Sequence, residues 1–331
     1  MMPSWPIMVD GIPPTQASPL QIPLLIPHDT PIAGTLTLPH GEGRFPWVLI
    51  VPGSGPVDRD GNAGKKFISN LYRDLAMALA EMGLASFRYD KRGVGESGGD
   101  NRSSGMREQV DDIVGILKGL SCHSRLQEDK NFLLGHSEGT MLSCKAATKI
   151  QVAGVVLLAG GGENLLEAME RQRRMMYQDM LSSKGWKGTL YRAIKVDVKG
   201  EKQAGKLIDK MMGTEKDSIR FQLVRMNAKW FREHFQNDVV QDIKLIHAPI
   251  LAMTGDKDFQ ADAAKMQRIS ENCPGPSETH TIPEMNHMLK RQLTPMSAMN
   301  YKRDYQELAK SPLHPDLIPI MQDWFSRNLL L

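Results

Sequence analysis

Short apolar segments alternate with amphipathic helical patterns over much of this chain, and this alternation constrains its fold more than any other feature. The apolar run at 47–51 is continuous, which is typical of a strand covered on both faces. Further strands are predicted at 84–89, 132–134 and 155–158, and helices at 68–82, 107–120 and 138–148. Strands that alternate with helices predict an α/β fold, with a mostly parallel central sheet and helices on both faces.

The alternation stops after the strand at 155–158. Two long and highly charged helical patterns follow, near 163–182 and 215–236. Strands at 249–254 and 279–282, a helix at about 261–272 and a closing helix at 316–330 then resume the pattern. We therefore predict that one core is interrupted by an inserted helical cap, which lies over the carboxyl ends of the strands, where such folds bind ligands.

The predicted domain organisation has three parts. Residues 1–20 are rich in proline and polar residues and are predicted to form an N-terminal arm. Residues 21–162 and 243–331 form the core, which opens with two strands between 21 and 38, and residues 163–242 form the cap. The many methionines of the cap either fill its interior or offer a pliable lining for an acyl group.

Composition excludes several classes of protein. The formal net charge is only +3 and there is no run of five basic residues, so no nucleic-acid partner is expected. The three cysteines form no CxxC pair, no His-Glu-x-x-His cluster occurs, and neither a metal nor another cofactor is expected. No signal peptide or membrane span is visible, and a reducing, cytoplasmic location fits best. The oligomeric state stays open, with a homodimer as one alternative.

A five-residue motif supplies the candidate nucleophile. Gly135-His136-Ser137-Glu138-Gly139 matches Gly-x-Ser-x-Gly, and it lies between a predicted strand and a predicted helix. In such an elbow the serine occupies a tight, strained turn, and side chains two positions away on either side would collide. The helix that follows also favours the negative charge that develops beside the serine. Ser137 is therefore the predicted nucleophile.

A serine needs a base, and in this fold the partners follow in the order serine, acid, histidine. Asp256 and Asp258 follow the strand at 249–254, and His287 follows the strand at 279–282. Asp258 has the Gly-x-x-Asp spacing and is the preferred acid, while Asp256 remains the alternative or ties the turn by an Asx-type hydrogen bond. His287 is preferred over two rivals, His247 and His280.

The oxyanion of acyl transfer needs two backbone N–H donors. One is predicted from Glu138, the residue after the nucleophile, and the other from the small-residue loop at 52–56. Within that loop Ser54 is the first choice and Gly55 the second. A different glycine-rich segment, 93–98, matches a dinucleotide fingerprint, but a polar loop and no helix follows it, so no nucleotide is expected there.

Several segments together resemble a group of α/β hydrolases that comprises esterases and serine-aminopeptidase-like hydrolases. They are the elbow, Asn286-His287, the loop at 48–62 and the segment at 88–97. The resemblance implies an α/β-hydrolase fold and a two-step mechanism through an acyl-enzyme. It also implies that Arg88, Asp90 and Arg92 hold a loop by salt bridges. In this family the oxyanion strand often ends in His-Gly, whereas here Pro52 replaces that histidine.

Three functions remain open from the sequence. The leading hypothesis is a carboxylesterase that acts on small-molecule esters with short or medium acyl chains. The second is a peptidase or amidase, which would be favoured if Glu163, Glu167 or Glu170 of the cap bound a substrate amine. The third is a catalytically silent protein that binds a small ligand, against which the complete Ser/Asp/His set argues.

Overall fold

A computed structural model describes residues 18–329 and shows a central sheet of eight strands. Residues 1–17, most of the predicted arm, lie outside the described residues. The strands of the sheet are β1 Leu20–Ile26, β2 Ile32–Leu38, β3 Phe45–Val51, β4 Ala85–Tyr89, β5 Leu126–His136, β6 Gly154–Leu158, β9 Ile250–Gly255 and β10 Ser277–Ile282. The two remaining strands, β7 Ser218–Phe221 and β8 Val224–Asn227, form a separate hairpin.

The strand order is β1-β2-β4-β3-β5-β6-β9-β10. The first two ladders are antiparallel, and the other five are parallel. The edge strand β1 alternates exposed with less exposed residues, whereas β6 and β9 are buried throughout, as expected at an edge and in a doubly covered sheet. The predicted α/β fold is therefore confirmed.

Helices cover both faces of this sheet. They are α1 Leu71–Glu81, α2 Met106–Ser121, α3 Glu138–Ala147, α4 Leu165–Ser182, α5 Gly185–Ala193, α6 Val196–Met212, α7 Ala228–Gln236, α8 Val239–Ile243, α9 Gln267–Asn272, α10 Tyr301–Leu308 and α11 Leu317–Leu329. Alternate residues of β3 serve opposite sides: Trp47 and Leu49 pack in the cluster with α2 and α3, and Val48 packs in the cluster with α1 and α11. Both faces of the sheet are thus covered by packed helices. The carboxyl ends of the strands are left available for a functional site.

Three sequence predictions about individual elements are wrong. Ile68 lies outside α1, which begins at Leu71 after Asn70, and its side chain is exposed. The helix predicted over 215–236 is instead the β7–β8 hairpin followed by α7. The hairpin turns at Gln222 and Leu223, which both have positive φ. Side chains of a strand alternate with a period of two, and over so short a segment this pattern is easily mistaken for the helical period. The helix predicted at 261–272 begins with a 3₁₀ turn at Ala263–Met266.

The segment between β6 and β9 contains five helices and the hairpin among the described residues. Helix α7 contacts α2, and α8 packs on α3, where Val239 and Ile243 join the buried core. The expected cap boundary at 242 therefore falls inside a helix that packs with the core. Within residues 18–329, no helix has the length and apolar character needed to cross a bilayer.

Candidate active site

Ser137 occupies the turn between β5 and α3. Its backbone has φ 56° and ψ −122°, a conformation that costs a non-glycine residue about 1–3 kcal/mol. A Cβ at Gly135 would collide with the carbonyl of Gly139, and a Cβ at Gly139 would collide with the carbonyl of Val51. Both glycines are thus required by close backbone packing, and the strained turn directs the hydroxyl out of the sheet.

The hydroxyl of Ser137 meets the imidazole of His287, and that ring meets Asp258. Ser137 Oγ lies 2.9 Å from His287 Nε2, and His287 Nδ1 lies 2.9 Å from Asp258 Oδ2. Both partner side chains are buried, with exposed fractions of 6% for the histidine and 0% for the aspartate. Because a carboxylate accepts the proton of Nδ1, the lone pair of Nε2 is free to accept the proton of the serine hydroxyl.

The carboxylate of Asp258 is oriented by its own backbone. Its Oδ1 accepts hydrogen bonds from the amides of Gln260 at 2.7 Å and Ala261 at 2.9 Å. The aromatic ring of Tyr305 in α10 stacks over His287, with centroids 6.3 Å apart. Backbone amides thus orient the aspartate, and an aromatic ring packs on the histidine. Helix α10, which supplies that ring, was not predicted from the sequence.

The other candidate acid and histidines lie elsewhere. Asp256 Oδ1 accepts the amide of Glu284 at 2.7 Å, so this carboxylate joins the loops after β9 and β10 and does not reach the imidazole. This bond spans two loops, so it is not the local Asx-type bond that the sequence suggested. His280 contacts Glu278, and His247 borders a separate cavity at the start of β9.

The predicted oxyanion donors lie beside the serine. Ser54 and Glu138 both border the cavity that contains Ser137 and His287, which we name the catalytic cavity. Glu138 is the first residue of α3, and the first amides of a helix have no partner within it. Gly55, the second choice, borders a neighbouring cavity instead.

A hydrogen-bonded chain that the sequence did not reveal runs behind the site. The Gly53 amide donates to the Tyr72 hydroxyl at 2.7 Å, and that hydroxyl lies 3.1 Å from His136 Nδ1. His136 Nε2 in turn lies 2.8 Å from the backbone oxygen of His287. Burial, and then the neighbouring His287, lower the pKa of His136 to about 3, so the ring is neutral and donates through Nε2. The chain connects the oxyanion loop, the elbow and the loop of the base.

The side chain of Glu138 forms a second buried network. Its carboxylate lies 3.0 Å from Lys91 Nζ and 2.5 Å from Trp230 Nε1. His234 Nε2 is 2.9 Å away, within ion-pair distance but not aligned as a hydrogen bond. Burial alone would raise the pKa of this carboxyl, but the charge of Lys91 and then the contact with His234 hold it well below its usual range. Because Trp230 and His234 belong to α7, the network joins the inserted segment to the nucleophile turn.

We expect Lys91→Met to lower the free energy of unfolding by about 3 kcal/mol, because it leaves the Glu138 carboxylate buried without its principal cation. Urea denaturation measures this change. The control is Lys149→Met, which breaks the largely exposed pair with Asp111 and should change stability by no more than about 0.5 kcal/mol. Equal losses in the two variants would contradict a special role for the buried pair.

The catalytic cavity has a volume of about 260 Å³ and a mixed lining. Met141 of α3 and Met169 of the inserted segment contribute apolar surface, so one methionine of the predicted cap borders the cavity. The candidate amine ligands are otherwise engaged: Glu163 pairs with Arg171 at 2.9 Å, and Glu167 pairs with Arg268 at 2.9 Å. Neither Glu167 nor Glu170 borders the cavity.

The charged segment at 88–92, at the end of β4 and just beyond it, forms ion pairs, as the resemblance implied. Arg88 pairs with Asp60 at 2.7 Å, Asp90 with Arg59 at 2.5 Å, and Arg92 with Asp112 at 2.6 Å. None of the six side chains borders the catalytic cavity. The next helix, α2, begins only at Met106, so the glycine-rich segment opens no helix for a pyrophosphate. Within residues 18–329 no three His, Cys, Asp or Glu side chains form a cluster that could hold a metal ion.

Comparisons with known proteins converge on one family. A family model described as serine aminopeptidase, S33, matches residues 64–292, which is more than half of the chain. Esterase EstD of Thermotoga maritima is 26% identical over 288 residues, which cover 84% of this chain and 65% of that protein. The chain thus spans just under two-thirds of the length of this relative.

Two solved structures share the fold at low sequence identity. Est1E from Butyrivibrio proteoclasticus, solved with ferulic acid bound, has a TM-score of 0.59 and 14% identity, covering 93% of this chain and 98% of Est1E. The esterase Pf2001 from Pyrococcus furiosus has a TM-score of 0.52 and 12% identity, covering 97% of this chain and 98% of that one. At these identities the likeness concerns the fold alone.

Proposed function

Because this chain belongs to the serine aminopeptidase S33 family of α/β hydrolases, we propose that it is a carboxylesterase that forms an acyl-enzyme on Ser137. The observation that carries the proposal is the arrangement of Ser137, His287 and Asp258, in which each successive contact is 2.9 Å. The relative named an esterase supports the same reaction class. No metal or other cofactor takes part in the proposed chemistry.

The proposed reaction has two halves. In the first, His287 Nε2 takes the proton of Ser137 Oγ as the oxygen attacks the ester carbonyl, and the tetrahedral intermediate expels the alcohol, which receives that proton from the imidazole. In the second, a water molecule gives a proton to the imidazole and attacks the acyl carbon. Collapse then releases the carboxylic acid and returns the proton to the serine.

Two features lower the barriers of these steps. The amides of Ser54 and Glu138 would hold the oxyanion, and the loss of one such donor typically costs about 10²–10³-fold in rate. The Asp258 carboxylate stabilises the imidazolium that forms in each half, because it accepts the Nδ1 proton in a buried site.

The catalytic cavity taken by itself has room for a short or medium acyl chain. Its volume of about 260 Å³ lies below the ~300–1,000 Å³ typical of pockets for drug-sized ligands. A peptidase that releases N-terminal residues needs a free carboxylate for the substrate ammonium. Two of the three acids of the lining, Glu138 and Glu163, are held by basic side chains, whereas Asp262 accepts the amide of Ala264 through one oxygen. Because most of the acidic lining is engaged by cations, the cavity favours esters over peptides.

A substrate panel tests the proposal. Wild-type protein is assayed with p-nitrophenyl esters from C2 to C12, and with alanine p-nitroanilide beside its N-acetyl form. We expect ester turnover that declines at the longest chains, and little turnover of either anilide. Faster hydrolysis of the free-amine anilide than of every ester would transfer the assignment to an aminopeptidase. Failure to turn over any member of the panel, with the fold intact by circular dichroism, would favour a silent ligand-binding protein.

A further inference from the structure

A second cavity adjoins the catalytic cavity. Its volume is about 520 Å³, and it shares Ser54 and Trp230 with the catalytic cavity as common walls. Its other walls come from the loop before α2 and from the β7–β8 hairpin, including Asn101, Arg102 and Arg225. We name it the basic cavity. Because both residues border both cavities, the two spaces meet at this pair of side chains.

The charge of the basic cavity is one-sided. Its lining contains Arg102, Arg225 and Lys91 and no aspartate or glutamate. The ammonium of Lys91 is already engaged by Glu138. The two arginines are exposed, and within residues 18–329 neither forms an ion pair with a carboxylate; Arg225 only donates to the hydroxyl of Ser218 at 3.0 Å. Two guanidinium groups are thus available to a ligand.

The two acids close to Arg102 in the chain, Asp100 and Glu108, do not border the basic cavity. Asp100 accepts the backbone amide of Arg102 at 3.0 Å and the hydroxyl of Ser103 at 3.1 Å, so it closes its own turn. Glu108 is paired with Lys229. Polar side chains complete the lining, among them Asn101 and Ser218. Guanidinium groups with hydrogen-bonding neighbours are a suitable site for a carboxylate.

The geometry of the reaction decides which part of the ester enters the basic cavity. The leaving oxygen takes its proton from His287, so the alcohol must lie on the side of the imidazole. The carbonyl oxygen points to the Ser54 and Glu138 amides. The basic cavity is bordered by Ser54 but not by His287, so it lies on the oxyanion side of the site and not on the side of the imidazole. The distal end of the acyl group, and not the alcohol, is therefore directed into it.

We propose that the substrate is an ester whose acyl group ends in a carboxylate, such as a half-ester of a dicarboxylic acid, with that carboxylate held by Arg102 and Arg225 in the basic cavity. This inference rests on the proposed esterase function and specifies its substrate class. It predicts a preference for an anionic acyl terminus over a methyl terminus at equal chain length.

The experiment compares p-nitrophenyl esters matched in acyl length. Hexanoate is paired with the hemiadipate, and octanoate with the hemisuberate, so each pair differs only in a methyl or a carboxylate end. Wild type, Arg102→Gln, Arg225→Gln and the double variant are assayed for kcat and KM. The control Arg73→Gln removes the same charge from the exposed face of α1 and corrects for general attraction of anions.

We expect wild type to prefer the hemiesters in kcat/KM. Each single substitution should raise KM for them by about fivefold, as an ion pair in partial contact with water allows, and the double variant by more than tenfold. With hexanoate, kcat and KM of the arginine variants should stay within about twofold of wild type. The Arg73→Gln control should also stay within about twofold of wild type. Addition of 0.5 M NaCl should weaken only the preference for the hemiesters.

Two outcomes separate failure of this inference from failure of the proposed function. If wild type hydrolyses hexanoate as fast as the hemiadipate, and the arginine variants change neither, the enzyme is an esterase but the basic cavity does not bind an acyl carboxylate. If wild type hydrolyses no ester of either kind, the esterase proposal itself fails. A loss of hexanoate activity in the arginine variants would show that they disturb the fold, and it would overturn the binding role.

Discussion

Ser137→Ala is expected to lower kcat for p-nitrophenyl esters by about 10⁴–10⁶-fold relative to wild type. The reason is that the acyl-enzyme cannot form without the hydroxyl that lies 2.9 Å from His287 Nε2. The substitution removes one oxygen and leaves the Cβ in the strained turn, so the backbone amides of the oxyanion site keep their positions. Residual turnover should therefore come from binding and the oxyanion donors alone.

Steady-state kinetics on purified protein measures this effect, and Ser143→Ala provides the control. Ser143 lies in the same helix, α3, and its buried hydroxyl has no hydrogen-bond partner among the described residues. We expect its removal to change kcat by less than about threefold, since no hydrogen bond is lost. Wild-type ester turnover that persisted in Ser137→Ala would exclude this serine as the nucleophile.

Asp258→Asn is expected to lower kcat by about 10³–10⁴-fold with little change in KM. The amides of Gln260 and Ala261 both donate to Oδ1, so they should hold the amide oxygen of the new Asn in that position. Its NH₂ group would then face His287 Nδ1 and donate to it. The ring would carry its proton on Nε2, and it could no longer accept the proton of Ser137.

The matched control for this prediction is Asp256→Asn. Among residues 18–329, Asp256 accepts only the amide of Glu284 through Oδ1, and the oxygen of an Asn can accept the same bond. We expect a loss of less than about tenfold. Kinetics of both variants on one ester gives the ranking, and a larger loss in Asp256→Asn than in Asp258→Asn would reassign the acid of the site.

The two buried networks behind the triad give the site its rigidity. The chain from Gly53 through Tyr72 and His136 to His287 connects the loop proposed to hold the oxyanion with the loop that carries His287. The Glu138 network connects the second proposed donor residue with α7. Such support matters because catalytic groups must stay close to their productive geometry for preorganised electrostatics to act. The inserted segment is thus connected directly to the nucleophile turn as well as forming walls of the cavity.

Local sequence patterns were sufficient for the central sheet. Continuous apolar runs predicted β3, β6 and β9 to within a few residues, because a strand covered on both faces must be apolar on both. The elbow was identifiable because only glycine fits two residues either side of a serine held at positive φ. In each case the cause lies within about ten residues of the chain, where periodicity and steric limits act.

The inserted segment was less predictable. The hairpin β7–β8 was taken for part of a helix, because charged and apolar residues over 215–236 also fit a helical period. Its strands are only four residues long, and they offer too few alternations to distinguish the two periods. Helices α5, α6 and α10 were missed, since their residues are on average more polar than those of the core helices α1 and α2.

The sequence by itself determined the α/β fold, the strained serine turn and the chain order of serine, acid and histidine, because these depend on neighbours in the chain. Only the tertiary structure decided which carboxylate contacts the imidazole and which side chains balance the charge of Glu138. It alone also revealed the basic cavity beside the catalytic cavity. These features join residues far apart in sequence, 150 positions for Ser137 and His287 and 92 for Glu138 and Trp230. The physical reason is that such contacts arise from the way loops and the inserted segment pack over the sheet, and no local periodicity records that packing.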